Sequence, residues 1–147
     1  MQKLNLPEYE FKIKQENSKT LIFDPVRKKY VVLTPEEWVR QNFMEYLKQE
    51  KQYPPSLMSV EKKVLVNGMA KRFDLLVYKR NGDPFLIAEF KSPMLKIGQD
   101  TFDQAVRYNM ALNVDIILVS NGLSHYVCQV DYENKRYSFL NQVPEFK

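Results

Sequence analysis

The chain has 147 residues, a net charge of +4, 44% apolar and 27% charged residues, and 13% aromatics, which suits one globular domain and excludes a disordered chain. A single cysteine, Cys128, and a single histidine, His125, cannot form an internal disulfide or supply the nitrogen and sulfur ligands of a structural zinc site. No stretch reaches the ~20 apolar residues of a membrane span, and the charged and aromatic Met1–Lys14 segment lacks the apolar run of a signal peptide, so a cytoplasmic protein without membrane contact is expected.

In chain order, Tyr9–Lys14, Leu21–Phe23 and Tyr30–Leu33 read as short strands of an N-terminal β appendage, with Asp24-Pro25-Val26-Arg27 as a turn. Thr34-Pro35-Glu36-Glu37 then predicts a helix start: a Thr N-cap, Pro at the first helical position, and Glu37 placed to complete a capping box. The helix extends to about Gln52, with Trp38, Val39, Phe43, Met44, Tyr46 and Leu47 as its core stripe, and Tyr53-Pro54-Pro55 ends it.

Three strands follow, Val60–Val66, Arg72–Tyr78 and Phe85–Lys91, and the Asn67-Gly68 and Asn81-Gly82 turns make them an antiparallel meander. After an irregular stretch from Ser92 to Gln99, a second helix spans about Asp100–Leu112. The continuous apolar run Ile116-Ile117-Leu118-Val119 marks a buried strand suited to parallel pairing. Ser124–Val130 and Arg136–Leu140 add two more. The expected fold is α/β (α+β): an α-β-β-β-α-β mixed sheet flanked by helices, with the appendage at 1–33, the core at 34–120 and a C-terminal β extension at 121–147.

Between Lys62 and Arg107 there are nine Lys or Arg against five Asp or Glu, which accounts for the whole net charge. Such an excess serves phosphate-backbone binding, and is equally what a solvated basic face shows. P-loop, G-x-G-x-x-G and G-x-S-x-G motifs are absent from the sequence, and one His and one Cys leave little for imidazole or thiol mechanisms. Carboxylates and lysines remain. Glu-x-Lys occurs five times, but only Glu89-Phe90-Lys91 ends a buried-looking strand whose hairpin partner carries an aspartate.

With Asn81-Gly82 as a two-residue turn, Tyr78 falls opposite Phe85, Leu76 opposite Ile87, Asp74 opposite Glu89 and Arg72 opposite Lys91. Directly opposed carboxylates repel unless a cation lies between them, and two carboxylates with waters suit Mg²⁺ or Mn²⁺. Lys91 projects on the same face. The chemistry implied is phosphodiester hydrolysis, with the metal activating water and Lys91 offsetting charge in the transition state. Against the alternative of a solvent-facing charge at Asp74, Leu76, Tyr78, Phe85 and Ile87 are expected to share its face and make it apolar. Gln104 and Tyr108 lie at i and i+4 on the second helix, suited to holding a phosphate or simply to a helix surface with a half-buried Tyr.

Asp74, Glu89-x-Lys91 and Gln104-x-x-x-Tyr108, set on a hairpin and the following helix, resemble the PD-(D/E)XK nuclease superfamily. More narrowly the chain is similar to the N-terminal nuclease domain of the type I restriction enzyme R subunit, through Leu33–Arg40, Arg72–Tyr78, Ala88–Pro93, Phe102–Asn109 and Val119–Gly122. The resemblance implies a restriction-endonuclease-like core and a metal-dependent endonuclease acting on DNA. Asp74 and Glu89 would be its Mg²⁺ or Mn²⁺ ligands, Lys91 the residue assisting the attacking water, and Gln104 and Tyr108 the accessory motif. The first-helix acid of the superfamily falls on Glu37 or Glu36, with Glu37 preferred, and Glu61 is a further candidate acid. Phe73 stands where the motif has Pro. The ATP-driven translocase that follows this domain in the restriction enzyme is not among these residues, so a translocase or other restriction-modification subunits are the expected partners. A non-catalytic nucleic-acid-binding or assembly module retaining the fold is the alternative, and the sequence does not separate DNA from RNA.

Overall fold

The computed structural model describes every residue except Ala111, together with the backbone but not the side chains of Val66, Tyr108, Asn109 and Met110. The chain opens with an antiparallel sheet of β1 (Ile13–Glu16), β2 (Lys19–Asp24) and β3 (Lys29–Val32). Helix α1 (Pro35–Lys51) and one 3₁₀ turn (Pro55–Leu57) lead into β4 (Met58–Val66), β5 (Met69–Tyr78) and β6 (Pro84–Phe90). Helix α2 (Gln99–Met110) is followed by β7 (Ile116–Ser120), β8 (His125–Asp131) and β9 (Arg136–Leu140). The second sheet runs β4-β5-β6-β7-β8-β9, antiparallel except for the β6–β7 pair. The meander and the parallel crossover match expectation, the N-terminal sheet forms with its first strand at Ile13–Glu16 instead of Tyr9–Lys14, and β8 and β9 continue the main sheet.

At its centre the sheet is buried on both faces, which explains the uninterrupted apolar run of β7. Ile116 and Leu118 join Val39, Phe43, Met44 and Leu47 of α1, whereas Ile117 and Val119 join Phe102, Ala105 and Val106 of α2. Trp38 and Tyr46 flank the α1 cluster in half-buried positions. The chain end closes the same layer, where the Phe146 N–H bonds the Lys51 carbonyl and the Tyr53 hydroxyl bonds the Pro144 carbonyl.

Two local expectations are corrected. The Thr34 hydroxyl does accept the Glu37 N–H at 3.1 Å, but the return half of the capping box is absent because the Thr34 N–H bonds the Val32 carbonyl and the Glu37 carboxylate is drawn to two arginines. The second hairpin does not turn on two residues. Its Lys79 N–H bonds the Asp83 carbonyl and Gly82 has φ of 95°, so Arg80-Asn81-Gly82 forms a three-residue loop. The resulting one-residue slip is absorbed by a bulge between Val77 and Tyr78, and Tyr78 faces Pro84 instead of Phe85. Phe85 consequently packs on the α1 side with Tyr53 and Phe146, not on the face of Leu76 and Ile87. Beyond the bulge the expected register holds, with Leu76 opposite Ile87.

His125 ties the N-terminal segment to the sheet. Its Nε2 donates to the Asn5 carbonyl at 2.8 Å, which fixes Nδ1 as the acceptor for the Ser120 hydroxyl at 2.7 Å. Ser120 Oγ in turn accepts the Gly122 N–H, and the Asn5 N–H bonds the Gly122 carbonyl. Burial holds the imidazole below its ordinary value of 6.5, outweighing the bond to Asn5. The fold therefore favours the neutral ring: its contribution is complete above the ordinary value and is lost as pH falls through the depressed one. Thermal melts from about pH 7 down to about pH 5 should show a steeper loss of stability for the parent chain than for His125→Gln. Parallel slopes would contradict this role.

Candidate functional site

The β5–β6 ladder ends at Leu75 opposite Ala88. At the next step, the Phe90 N–H is received at 2.8 Å by Oδ2 of the Asp74 side chain in place of a backbone carbonyl. Backbone pairing gives way to side chains at this point, and the strands part around a cavity of about 390 Å³ lined by Lys71, Arg72, Asp74, Glu89, Lys91, Thr101, Gln104 and Ala105. Asp74 and Glu89 thus reach one cavity, although their direct opposition lies one step past the formed ladder. Arg72 faces Lys63 of β4, and Lys91, just beyond β6, donates its N–H to the Ser120 carbonyl. Both cations nevertheless line the same space.

The alternation of β5 breaks at Asp74. Leu75 and Val77 face α1, yet Phe73, which a period of two would put with them, packs on the α2 side. The neighbouring strand is irregular at the same level, where Glu61 takes φ of 54° and drops out of a ladder that is regular at Val60–Leu75 and Lys62–Phe73.

Glu61 is held in that conformation by ion pairs with Arg40 at 3.4 Å and Arg27 at 3.8 Å. The same guanidiniums clasp Glu37, at 3.0 Å from Arg40 and 2.8 Å from Arg27, and Arg27 also pairs with Asp24. Gln41 donates a further bond to Glu37. The Asp24 and Glu37 side chains retain only 0% and 6% of their surface exposed, so these charges need their partners. Arg40 also donates to the Asp74 main-chain carbonyl at 3.1 Å. Glu37 and Glu61 are therefore committed to a charged cluster behind the strand and do not line the cavity.

The cavity side is the reverse. Among the described residues the side chains of Glu89, Lys91 and Gln104 make no hydrogen bond or ion pair, although Glu89 and Lys91 are half-buried. No group of three or more His, Cys, Asp or Glu is placed to hold a metal among the described residues. The acid set in the cavity is two carboxylates, both oxygen donors. Tyr108 belongs to α2 one turn after Gln104, and its side chain lies outside the described residues. Lys71 and Thr101 were not singled out from the sequence, and Arg72 only as the expected neighbour of Lys91, whereas it pairs with Lys63. Thr101 could have been, standing three residues before Gln104 on the same helical face.

A six-stranded mixed sheet between two helices, with a three-stranded sheet beside it, has the α+β fold expected of a restriction-endonuclease-like domain. Residues 35–144 match the family model of the type I restriction enzyme R protein N terminus (HSDR_N), and the chain belongs to that family. In structure it is similar to a fragment described as an HsdR subunit of a type I restriction enzyme from Vibrio vulnificus YJ016, with a TM-score of 0.54 and 21% identity over 77% of this chain. The chain spans 24% of the length of that fragment. No curated protein matches the sequence. No helix among the described residues is long and apolar enough to cross a membrane.

The two groups of carboxylates should respond oppositely to substitution. Glu37→Ala leaves the buried Arg40 and the half-buried Arg27 with Glu61 as the acid they still share and should cost about 3–5 kcal/mol, read as a lower urea midpoint. Glu89→Gln removes a charge that has no partner and should leave the midpoint unchanged or raised. Equal losses in both would contradict the division.

Proposed function

We propose that this domain is the metal-dependent endonuclease module of a type I restriction R subunit and hydrolyses DNA phosphodiester bonds. The observation that carries the proposal is one cavity where Asp74, Glu89, Lys91 and Gln104 converge while the last three have no partner among the described residues. A half-buried lysine and glutamate left unpaired cost stability, and such groups are kept where a ligand completes them.

The donor set fits a hard divalent ion. Two carboxylates with no nitrogen or sulfur ligand suit Mg²⁺ or Mn²⁺, which keep several waters and share phosphate oxygens. Asp74 uses Oδ2 for the Phe90 N–H, leaving Oδ1 for the ion, and Glu89 supplies the second carboxylate. When bound, the ion would lower the pKa of a water and offset charge on the phosphate. Lys91 places a fixed positive charge beside that position and stabilises the negative charge that builds on the phosphate oxygens. The Gln104 amide donates to a phosphate oxygen from α2, and Tyr108, as the second member of the accessory motif, works from the same helix. On this reading the natural partners are DNA and the translocase and other subunits of the restriction-modification system, in the cytoplasm.

Incubating the chain with plasmid and single-stranded DNA in Mg²⁺ or Mn²⁺ should give cleavage that is absent in Asp74→Ala. Lys91→Ala should keep its melting temperature and lose cleavage by about 100-fold or more. A Lys91→Ala protein that cleaves at the parent rate, or a parent chain that binds DNA without cutting it in either metal, would instead favour the assembly-module reading.

A further inference from the structure

Beyond Leu75, β5 has only one neighbour. The β5–β6 ladder covers Leu75 to Tyr78, but the β4–β5 ladder continues through Lys62–Phe73, Lys63–Arg72, Val64–Lys71, Leu65–Ala70 and Val66–Met69. These five pairs form a two-stranded ribbon that projects roughly 16 Å past the sheet at the usual rise per residue. Asn67 and Gly68 close it with φ of 52° and 79°, a tight turn that gives the tip no bulk. Its base is anchored, since Phe73 is fully buried and Val64 packs against the α2 cluster.

Among the described residues, Leu65, Met69 and Ala70 belong to neither hydrophobic cluster. Leu65 and Met69 are 73% and 70% exposed, a poor arrangement for a free ribbon, which has little stability of its own. Lys63 and Arg72 stand directly opposite each other on one face, and like charges so paired repel. Among the described residues neither they nor Lys62 make an ion pair. Cations opposed without a counter-ion, beside exposed apolar groups at a tip, call for an occupant that is polyanionic along its edges and apolar within. The ribbon also adjoins the cleft, for Lys71 and Arg72 line it.

From this geometry we infer that the β4–β5 ribbon is a duplex-DNA arm: it enters the major groove tip first, with Lys62, Lys63 and Arg72 toward the phosphates and Leu65 and Met69, which flank the turn on opposite faces, toward the base edges. The inference rests on the endonuclease reading and adds the element that grips the substrate. A B-form major groove, about 12 Å wide, admits a two-stranded β-ribbon, whereas the deep, narrow major groove of A-form RNA does not. The arm thus selects duplex DNA by shape and holds it beside the carboxylates without demanding a sequence.

The test is fluorescence anisotropy on a labelled 20-mer duplex DNA, the matching duplex RNA and the single strand, in EDTA so that binding is separated from cleavage. The parent chain should bind duplex DNA at least tenfold more tightly than duplex RNA. In the Lys62→Gln/Lys63→Gln double variant the slope of log affinity against log salt should fall by about 0.9 for each phosphate that is no longer neutralised. Leu65→Ser should weaken DNA binding severalfold, keep the slope and shrink the preference over RNA. All three positions are exposed, and circular dichroism melts confirm that the variants remain folded. If the parent binds duplex DNA but the variants keep its affinity and slope, the arm is refuted and the endonuclease reading stands. Equal affinity for duplex DNA and duplex RNA refutes the groove fit, and a parent chain that binds no nucleic acid at low salt overturns both proposals.

Discussion

The hydrogen bond from the Phe90 N–H to the Asp74 carboxylate is the point on which the site depends. A β ladder normally consumes its backbone groups in pairs, and side chains on neighbouring strands stay about 5 Å apart with nothing between them. Here a side-chain oxygen takes the place of a carbonyl, so the ladder ends without leaving an orphan donor. Three features follow from that substitution. A cavity opens between the strands, Asp74 is fixed by one oxygen with the other left over, and β4 and β5 run on together as a ribbon released from the sheet.

Such a break needs support from behind, and the charged cluster supplies it. Arg40 reaches through from α1 to the Asp74 carbonyl and at the same time holds Glu61, whose left-handed conformation interrupts β4 opposite the break. Arg27, from the turn after β2, joins Asp24, Glu37 and Glu61. The N-terminal sheet is in this way coupled to the strand that carries the site. Charges are segregated across the sheet: behind it acids and arginines neutralise one another, and in front of it Glu89 and Lys91 stand without a partner among the described residues.

Much of the frame is legible in the sequence because its signals are local. Thr34-Pro35 marks a helix start through the fixed φ of proline and the acceptor of threonine. Asn67-Gly68 supplies the two positive φ values of a tight hairpin, and the run Ile116–Val119 states its own burial. The register that brings Asp74 near Glu89 follows from a turn of the wrong length, and holds only because the bulge at Val77 and Tyr78 restores it. What could not be read is set by distant partners. Glu37 is spaced to close a capping box, and only the fold shows that Arg27 and Arg40 outbid the Thr34 N–H for it. Arg40 looks like an ordinary helix-surface charge until β5 is laid across it. Lys71 and Arg72 read as strand cations and become cavity walls because the ladder beside them stops.

The central claim is that Asp74 is held by one oxygen while the other, with Glu89, receives a divalent ion. Paramagnetic Mn²⁺ titrated into ¹⁵N-labelled protein tests this directly, because broadening falls off steeply with distance from the ion. The account predicts that at low Mn²⁺ the amides of Asp74, Glu89, Phe90 and Lys91 broaden first, and that Asp74→Asn abolishes the effect while the remaining spectrum stays dispersed. Broadening centred instead on Asp24, Glu37 and Glu61, or spread evenly over the surface acids, would contradict it.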